Sequence, residues 1–496
     1  MESFIYLLPV VAVMALLASG RVSLLAAGCV GTLLSVPAAW IAHRVALGDA
    51  ANFDSMSTLV AHAGLRGSWI AWQAVSIILG GLLLYNVLNA ARPDLFAPRR
   101  VMSKGISHHR LFTICFLLGP FVEAATGFGV GYLITISALM RLGLDAMQAV
   151  VFGLFSQMMV PWGALGVGTY IGAELAGIPI RELGMHTAVI YIALLFGYLL
   201  VFWGLAARFG HAPTLLERLD DLLWLCALCA LLYAANAFIA VEVAGLACTA
   251  PLIVLRYLRH LGNRAATRGQ SRKMLQAVLP YATLTLLLVG IRSVPLLNDF
   301  LHDLLVLRLP AAVAGDLPGY AVFHHGSFWL VAVAVGFGAW QLTRVQWRGV
   351  VTGVVSSARV PVLVSIIFLV MAQLLSLAGI PARLATVWVA IADVGAVAAS
   401  PVMGIIAGLL TASNTASNGM LMVLQTELAM RVGADPGWIA AVQNVAGSNA
   451  ILISPIRIAM GCALVAISGR ESEVYRLVWP LGLVMLVVLE CFSFIA

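Results

Sequence analysis

Charge is scarce in this chain of 496 residues, and its scarcity excludes an ordinary soluble protein. Only 10% of the residues are Asp, Glu, Lys or Arg, whereas soluble domains carry about 25%. Lysine is almost absent, because Lys104 and Lys273 are the only two in the chain. The net charge of +7 comes from short basic loops between apolar runs, a pattern typical of membrane proteins and not of nucleic-acid binders. With 62% hydrophobic residues, the composition indicates a polytopic membrane protein.

The signatures of enzymes and metal sites are also missing from the sequence. There is no HExxH, no GxSxG and no His-rich cluster. The seven cysteines are scattered, and the pair Cys226 and Cys229 has no His or acid beside it, which favours packing over metal binding or redox chemistry. We therefore expect no enzyme activity, no cofactor and no metal.

Long apolar runs recur along the chain and predict an all-α membrane protein with about 12–14 transmembrane helices. These runs are longer than the alternating strands of about ten residues that form a membrane barrel. The first run follows the acidic residue Glu2 and lacks the basic start of a signal peptide, so we expect it to be retained as a helix. The predicted location is the inner (plasma) membrane, with many spans.

Basic loops divide the chain and predict its orientation. Residues 92–110 and 256–273 are rich in Arg and poor in acids, so both are expected on the cytoplasmic side. The second loop separates an N-terminal transmembrane half, residues 1–255, from a C-terminal half, residues 274–496.

A weak internal repeat relates the two halves. ALMRLGLDAMQAVV (138–151) matches LAMRVGADPGWIAA (428–441) at a constant offset of 290 residues. In each half an apolar run is interrupted by small and polar residues, at 119–131 in the first and at 411–419 in the second. Paired interruptions of this kind are typical of secondary transporters built from inverted repeats with broken or re-entrant helices. The sequence therefore predicts two inverted repeats and transport by alternating access.

Four segments carry a resemblance to a known family. They are GPFVEAATGFG (119–129), VMAQLLSLAGI (370–380), SPVMGIIAGLLTASNTASNG (400–419) and ISPIRIAMGCALVAISGRESEVYR (453–476). In this order they resemble the L-lactate permeases, over roughly residues 110–480. The resemblance implies import of lactate, glycolate and related 2-hydroxy monocarboxylates with a proton. The chain departs from the family pattern at ASNTASN (412–418), where the family has G-[AS]-[DN]-T-S-S-N.

Two carboxylates within apolar runs are the candidates for carrying the coupling proton. Glu123 lies in GPFVEAATGFG and Asp393 lies in WVAIADVGAVA. An ionisable residue at membrane depth is costly and is usually functional. Glu123 could instead pair with an arginine or with backbone N–H groups, and Asp393 could be the counter-ion of a buried arginine.

The candidates for substrate binding are uncharged polar or small residues at the two interruptions, together with one phenylalanine and one arginine. Free N–H groups at the start of a half-helix bind anions, hydroxyls and amides donate hydrogen bonds, and a guanidinium matches a carboxylate through two parallel bonds. The alternatives are helix capping by Ser, Thr and Asn, and an arginine that reaches the membrane interface. The selected residues are Thr126, Gly127, Phe128, Gly129, Ser413, Asn414, Thr415, Ser417, Asn418 and Arg457. The expected partners are a small organic anion, H⁺ and the lipid bilayer. No nucleic acid is expected as a partner, and both a monomer and a homodimer stay open.

Two other functions remain open at this point. The string Ser413-Asn414-Thr415 resembles the Na⁺ and carboxylate site of sodium symporters, so coupling to Na⁺ is an alternative to H⁺. The first half has no matching string, which argues against two equivalent Na⁺ sites. From a different class, the chain could be a membrane subunit of a larger complex without transport of its own, although both lysines lie in loops.

Overall fold

The computed structural model describes residues 2–48, 51–91, 106–127, 129–261, 268–315, 317–393 and 395–495. Almost all of this part of the chain is helical, which confirms the predicted all-α class. Two short strands, β1 (Val306–Leu307) and β2 (Tyr320–Ala321), pair antiparallel.

Eleven α-helices lie in the first half of the described chain. They are α1 (Glu2–Ala18), α2 (Leu24–Leu47), α3 (Phe53–Ala91), α4 (His108–Phe112), α5 (Gly119–Thr126), α6 (Val130–Arg141), α7 (Ala146–Gly153), α8 (Val167–Ala176), α9 (Ile180–Arg208), α10 (Leu215–Phe238) and α11 (Val241–Leu261). A π-helical segment, Thr113–Leu118, joins α4 to α5, and a 3₁₀ segment, Leu154–Trp162, extends α7.

Twelve α-helices follow in the second half of the described chain. They are α12 (Arg268–Ser293), α13 (Pro295–Asp303), α14 (Ala311–Ala314), α15 (Gly326–Gln341), α16 (Arg344–Leu377), α17 (Ile380–Ala392), α18 (Gly395–Ala398), α19 (Ser400–Thr411), α20 (Asn414–Val432), α21 (Pro436–Asn449), α22 (Pro455–Leu464) and α23 (Glu471–Ile495). A 3₁₀ segment, Ala450–Ile453, extends α21.

The predicted basic loops are only partly covered. Residues 92–105 and 262–267 lie outside the described residues. The helices α11 and α12 reach into the predicted loop 256–273 from both ends, so its described parts are helical.

The helix count is lower than the predicted 12–14 spans. Eight described helices are long and apolar enough to cross a membrane, or eleven when each of three bent helix pairs is counted as one span. Three shorter apolar helices, which include α6 and α15, are not counted among these spans. A broken span divides into pieces that are individually too short to cross about 30 Å of hydrocarbon.

Local structure follows the sequence repeat closely. Asp145 and Asp435, 290 residues apart, both cap the next helix with their side chains. The preceding glycines, Gly143 and Gly433, both have positive φ, at 95° and 77°. In each copy a 3₁₀ segment then follows the capped helix, and a further short helix follows that segment. The inversion of the two repeats and the boundaries of the halves stay predictions.

Helices of the two halves interleave around the elements that the sequence repeat relates, which are α5 to α8 in the first half and α19 to α22 in the second. From the first half, α8 packs against α20 and α21, and α9 packs against α21 and α23. The long helices α3 and α16 run against each other on one side of this group. The repeat elements α5 to α8 and α19 to α22 are thus brought together, and their interruptions lie between them.

Candidate functional site

The first interruption separates α5 from α6 and holds a buried carboxylate. Glu123 is 1% exposed, and its two carboxylate oxygens accept hydrogen bonds from the backbone N–H groups of Gly129 and Gly131, each at 3.1 Å. These N–H groups belong to the start of α6, where helices leave donors unsatisfied and attract negative charge. Glu123 therefore occupies this half-helix N-terminus from within the chain. The substrate candidate Phe128 lies outside the described residues.

Close contact between α5 and the start of α6 depends on Gly131. A β-carbon at position 131 would lie 2.6 Å from the backbone N of Glu123 and 2.7 Å from its Oε2. Real β-carbons do not approach backbone atoms so closely, so only glycine allows α6 to start against the turn of α5 that carries Glu123.

The second interruption is shorter than the sequence indicates. Of the segment 411–419, only Ala412 and Ser413 are non-helical; Ala412 adopts a left-handed φ of 47°. The side chain of Ser413 accepts a hydrogen bond from the N–H of Ala416 at 3.2 Å, which caps α20 at its first turn. The remaining residues, from Asn414 onward, form the start of α20 rather than an irregular tip.

The two interruptions meet at one cavity of about 300 Å³. The polar side chains that line it are Glu123, Ser365, Thr411, Ser413, Asn414, Thr415 and Arg457. The apolar part of its wall includes Leu24, Val360, Pro361, Val364, Ile451 and Ile456. The cavity therefore combines one acid, one base and uncharged polar groups inside an apolar wall.

Two further helix breaks, at matching positions of the repeat, complete the cavity. Between the 3₁₀ segment and α8, the residues Ala164, Leu165 and Gly166 are left-handed in succession, with φ values of 47°, 56° and 71°. This conformation is costly for Ala and Leu, and such strain is found mainly at functional sites. In the second half Ser454 separates a 3₁₀ segment from α22, and its side chain caps the N–H of Arg457 at 3.2 Å.

Arg457 shares the cavity with Glu123. It is 9% exposed and lies in the first turn of α22, with its guanidinium against Gly129. The opposite charges of Arg457 and Glu123 attract each other, and the Tyr132 side chain lies near the same guanidinium. The arginine is therefore mostly buried in protein at the cavity wall.

Behind the cavity, an uncharged polar network joins the two halves. Asn444 of α21 accepts hydrogen bonds from the side-chain amides of Asn414 and Asn418 at 2.9 and 3.0 Å. Its own amide donates to the hydroxyls of Thr169 and Thr187 in the first half. Such bonds hold helices together where water is absent.

The structure brings six of the twelve selected residues to the cavity wall. Glu123, Gly127, Ser413, Asn414, Thr415 and Arg457 line the cavity. Ser417 and Asn418 are fully buried beside Gln443, which donates to the Ser417 hydroxyl at 3.0 Å. Thr126 is buried, and its hydroxyl donates to the carbonyl of Val122 in its own helix at 2.7 Å.

The expectation that Asp393 is buried is wrong. It is exposed at the end of α17, where its φ of 48° turns the chain sharply, and it is not among the cavity-lining residues. Its apolar flanks belong to helices that separate at this point, so they do not enclose it.

Two cavity residues were missed by the sequence analysis. Ser365 lies in the apolar helix α16, and Thr411 is the last residue of α19. A hydroxyl four residues after Pro361 in an otherwise apolar run is a weak signal, because Ser in a helix usually bonds to its own backbone. Ser365 does so too, donating to the Pro361 carbonyl at 2.9 Å.

Arg292 does not reach the cavity. It contacts Glu242 at 3.2 Å and the imidazole and carbonyl of His324. No group of three or more His, Cys, Asp or Glu side chains that could hold a metal ion occurs in the part of the chain that the structure describes.

Comparison with known proteins agrees with the resemblance drawn from the motifs. Residues 2–496 match the L-lactate permease family. The chain is 24% identical over 499 residues to the L-lactate permease of Escherichia coli (strain K12), covering 89% of this chain and 88% of that protein. It is also 24% identical over 537 residues to the glycolate permease GlcA of the same organism, covering 96% and 92%.

A solved structure, the YdaH transporter of Alcanivorax borkumensis, is similar with a TM-score of 0.47 at 16% identity, covering 94% of this chain and 96% of that one. Because the family match spans nearly the whole chain and the described helices include eight or more of membrane-spanning length, this protein belongs to the L-lactate permease family and is a multi-pass transporter of the inner membrane.

Proposed function

We propose that this protein imports small 2-hydroxy monocarboxylates such as L-lactate or glycolate together with a proton, by alternating access. The relatives named as lactate and glycolate permeases support the substrate class. The observation that carries the proposal is the cavity where both helix breaks meet, lined by one carboxylate and one guanidinium. A volume of about 300 Å³ suits a small solute, because ligand pockets commonly range from about 300 to 1,000 Å³.

The substrate carboxylate binds to Arg457 and to the start of α20. The N-terminus of α6 is already occupied by Glu123, so it is not free to bind a second anion. The N-terminus of α20, at Asn414 and Thr415, borders the cavity and offers the positive end of a helix dipole. Arg457 adds a charged donor whose geometry matches a carboxylate.

The substrate hydroxyl binds among the uncharged polar groups of the same cavity. Thr411 and Ser413 lie on one part of the wall, and Ser365 of α16 lies on another. Apolar side chains such as Val364 and Ile451 contact the remaining carbon atoms. A few polar groups within an apolar wall are the usual composition of a site for a small molecule.

Glu123 carries the proton. It is the only carboxylate among the described residues that line the cavity, and it lies beside the guanidinium that binds the substrate. Asp393 lies outside this cavity, so it is not assigned this role. Paired breaks of this kind are typical of transporters in which one repeat moves against the other around a fixed site, which supports alternating access.

Coupling to Na⁺ is the second candidate, because Ser413, Asn414 and Thr415 all border the cavity and offer oxygen atoms. Na⁺ would need several of these oxygens at once. The Ser413 hydroxyl already accepts the N–H of Ala416, which favours the proton. Asn414 donates to Asn444 through its amide nitrogen, and its Oδ1 has no hydrogen-bond partner among the described residues, so this oxygen does not argue against Na⁺.

The test is uptake of labelled L-lactate and glycolate into proteoliposomes under an imposed pH gradient or an imposed Na⁺ gradient. We expect an acidic exterior to drive accumulation, Na⁺ to have no effect, and Glu123→Gln to keep exchange but lose concentrative uptake. Glu490→Gln is the control, because this carboxylate lies on α23 away from the cavity. Accumulation driven by Na⁺ alone would support the second candidate. No transport of either acid under any gradient would contradict the proposed substrates.

A further inference from the structure

Asn414 brings an acceptor without a hydrogen-bond partner to the cavity wall. The residue is 6% exposed and lines the cavity. Its Nδ2 donates to Oδ1 of Asn444 at 2.9 Å, but its own Oδ1 has no hydrogen-bond partner among the described residues. A buried acceptor that stays unpaired is unfavourable and rare in proteins, so this oxygen requires a donor from a molecule that enters the site.

The orientation of the Asn414 amide is fixed by the polar network behind the cavity. The Thr169 hydroxyl donates to the carbonyl of Pro161 at 2.6 Å, so its oxygen is left to accept from Nδ2 of Asn444 at 3.0 Å. Asn444 therefore turns its Oδ1 towards Asn414, which must meet it with Nδ2. A flipped amide at Asn414 would break this sequence of bonds, so the atom without a partner is an acceptor.

Close packing holds the same side chain in place. An added β-carbon at Gly168 of α8 would lie 2.5 Å from Nδ2 of Asn414 and 2.8 Å from its Cβ. An added β-carbon at Gly447 of α21 would lie 3.3 Å from its Oδ1. The amide is thus confined between glycines of the two halves, and a confined acceptor discriminates between ligands because it cannot turn to suit another one.

The other uncharged polar groups of the wall have less to gain from a donor. The hydroxyls of Thr411 and Ser365 donate to carbonyls of their own helices at 2.7 and 2.9 Å. The Ser413 hydroxyl accepts the N–H of Ala416 at 3.2 Å. Each of these oxygens already takes part in a hydrogen bond, whereas Oδ1 of Asn414 does not.

The place of Asn414 on its helix determines which hydroxyl group it can receive. Asn414 is the first residue of α20, whose N-terminus attracts the substrate carboxylate. Donors for a carboxylate and an acceptor for a hydroxyl group thus belong to the same turn of helix. In a 2-hydroxy acid these two groups are on adjacent carbon atoms, so one turn can bind both of them.

We propose that Oδ1 of Asn414 accepts a hydrogen bond from the 2-hydroxyl group of the substrate and thereby selects 2-hydroxy acids against 2-oxo acids and unsubstituted acids of the same size. This inference rests on the proposed function and adds to it the residue that recognises the substituent at C2. Pyruvate would place a carbonyl oxygen against Oδ1, so that two acceptors face each other. Propionate would leave Oδ1 unpaired. A site that bonds a substrate hydroxyl rejects analogues without it far more strongly than an apolar pocket does.

Competition with L-lactate in the exchange assay tests this selectivity, with Asn414→Ala as the variant and Asn418→Ala as the matched control. Asn418 also donates to Oδ1 of Asn444, at 3.0 Å, but it does not line the cavity, and its Oδ1 accepts from Gln443. Both variants lose one bond to Asn444, and only Asn414→Ala loses the unpaired acceptor.

The expected results concern ratios, which a general loss of activity does not change. In the wild type, we expect the Ki of pyruvate and that of propionate to exceed the KM of L-lactate by about tenfold or more. Asn414→Ala should bring both ratios close to one, mainly by raising the KM of L-lactate. Asn418→Ala should keep the wild-type ratios.

A second pair of variants keeps the test decisive if Asn414→Ala does not fold. Gly168→Ala places a methyl group against the amide of Asn414, so it should lower the same ratios. Its control is Gly172→Ala, one turn later on α8, where the added β-carbon would lie 2.9 Å from Nδ2 of Asn418. We expect Gly172→Ala to keep the wild-type ratios, because the asparagine that it displaces does not line the cavity.

The outcomes distinguish this inference from the proposed function. If the wild type transports lactate but propionate or pyruvate competes equally well, the hydroxyl group is not recognised; the inference is then wrong and the proposed function stands. If Asn414→Ala folds and keeps the wild-type ratios, another group or a bound water pairs with the hydroxyl, and the inference is again wrong. If exchange requires Na⁺ and Asn414→Ala removes that requirement, Oδ1 binds the cation instead. If the wild type transports neither lactate nor glycolate, both the inference and the proposed function are wrong.

Discussion

Asn414 and Asn444 are joined by a hydrogen bond of 2.9 Å, from Nδ2 of Asn414 to Oδ1 of Asn444. Asn414 is the first residue of α20 and lines the cavity, whereas Asn444 is fully buried in α21. Because the amide of Asn444 also donates to Thr169 and Thr187, the start of α20 is tied through one side chain to α8 and α9 of the first half. Asn444 therefore links the second helix break to both halves of the protein.

Replacing Asn444 by leucine should destabilise the protein and weaken transport together. The substitution leaves the amides of Asn414 and Asn418 without their shared acceptor, and a buried polar group that loses its partner costs about 1–3 kcal/mol. We expect a clear fall in the melting temperature in detergent and a lower rate of lactate exchange.

Thr426→Ala is the control for this prediction. It removes a buried hydroxyl of α20 whose hydrogen bonds run only to carbonyls of its own helix. If Asn444→Leu and Thr426→Ala lowered the melting temperature equally, Asn444 would contribute no more to stability than a hydroxyl bonded within its own helix, and its link between α20 and the first half would not matter.

A buried cluster of charges on α4, α10 and α11 should be a main determinant of stability. Asp221 is 1% exposed, lies 2.7 Å from Nε2 of His108 and accepts the indole N–H of Trp203 at 3.0 Å. Arg256, also 1% exposed, lies 4.0 Å from the same carboxylate. Asp221→Ala leaves His108 and the Trp203 indole without this acceptor, while Arg256 keeps Asp220 at 3.7 Å. Removal of one partner of a buried ion pair costs about 3–5 kcal/mol.

The matched control for this cluster is an exposed pair. Asp303 contacts His302 at 2.8 Å, but its side chain is 81% exposed. Exposed pairs contribute about 0–1 kcal/mol, so Asp303→Ala should leave the melting temperature in detergent almost unchanged. A fall in melting temperature for Asp221→Ala no larger than that for Asp303→Ala would contradict the assigned role.

The sequence predicted the membrane class and both helix breaks, because these depend on local composition. Glu123 and Arg457 stand out as charges in apolar runs, and both line the cavity. Ser417 and Asn418 were selected as uncharged polar residues of the second interruption, but they are not among the residues that line the cavity. Asn418 lies one turn after Asn414 on the same face of α20, so the extent of the cavity along α20 decides which of the two side chains lines it. A shift of the predicted break by a few residues changes which side chains face the cavity.

Tertiary packing determines the remaining features, which no local pattern reveals. The sequence predicts an interruption over residues 411–419, but the cap made by Ser413 starts α20 already at Asn414. Ser365 joins the cavity only because α16 packs against the repeat elements. Asp393 is exposed because the helices on either side of it diverge.

Stability should fall as the pH drops from about 6.5 towards 4, through the two adjacent histidines between β2 and α15. Burial, followed by the neighbouring Arg292 guanidinium, lowers the pKa of His324 to about 4. Burial also lowers the pKa of His325 to about 4. An unfolded histidine has a pKa of about 6.5, so the unfolded chain binds more protons in this interval, and the stabilisation present above pH 6.5 is lost on acidification.

Replacing both histidines by glutamine should reduce this dependence. The measurement is the melting temperature in detergent at several pH values between about 4 and 7.5, compared with His43→Gln, a histidine of α2 that bonds to Ser55. The same acid-dependent fall in the double variant and in the wild type would show that other groups are responsible.

Narrowing the cavity should favour the smaller substrate. Val364 of α16 is 5% exposed and lines the cavity, so Val364→Phe places a ring in a volume of only about 300 Å³. Glycolate lacks the methyl group of lactate, and one methylene in an apolar pocket changes discrimination by about 10–200-fold. We expect the ratio of the KM for lactate to that for glycolate to rise by about tenfold or more. Val355→Phe is the control, because Val355 lies on the same helix but is 65% exposed. If both variants kept the wild-type ratio, the substrate would not bind against Val364, and the wall of this cavity would not determine selectivity.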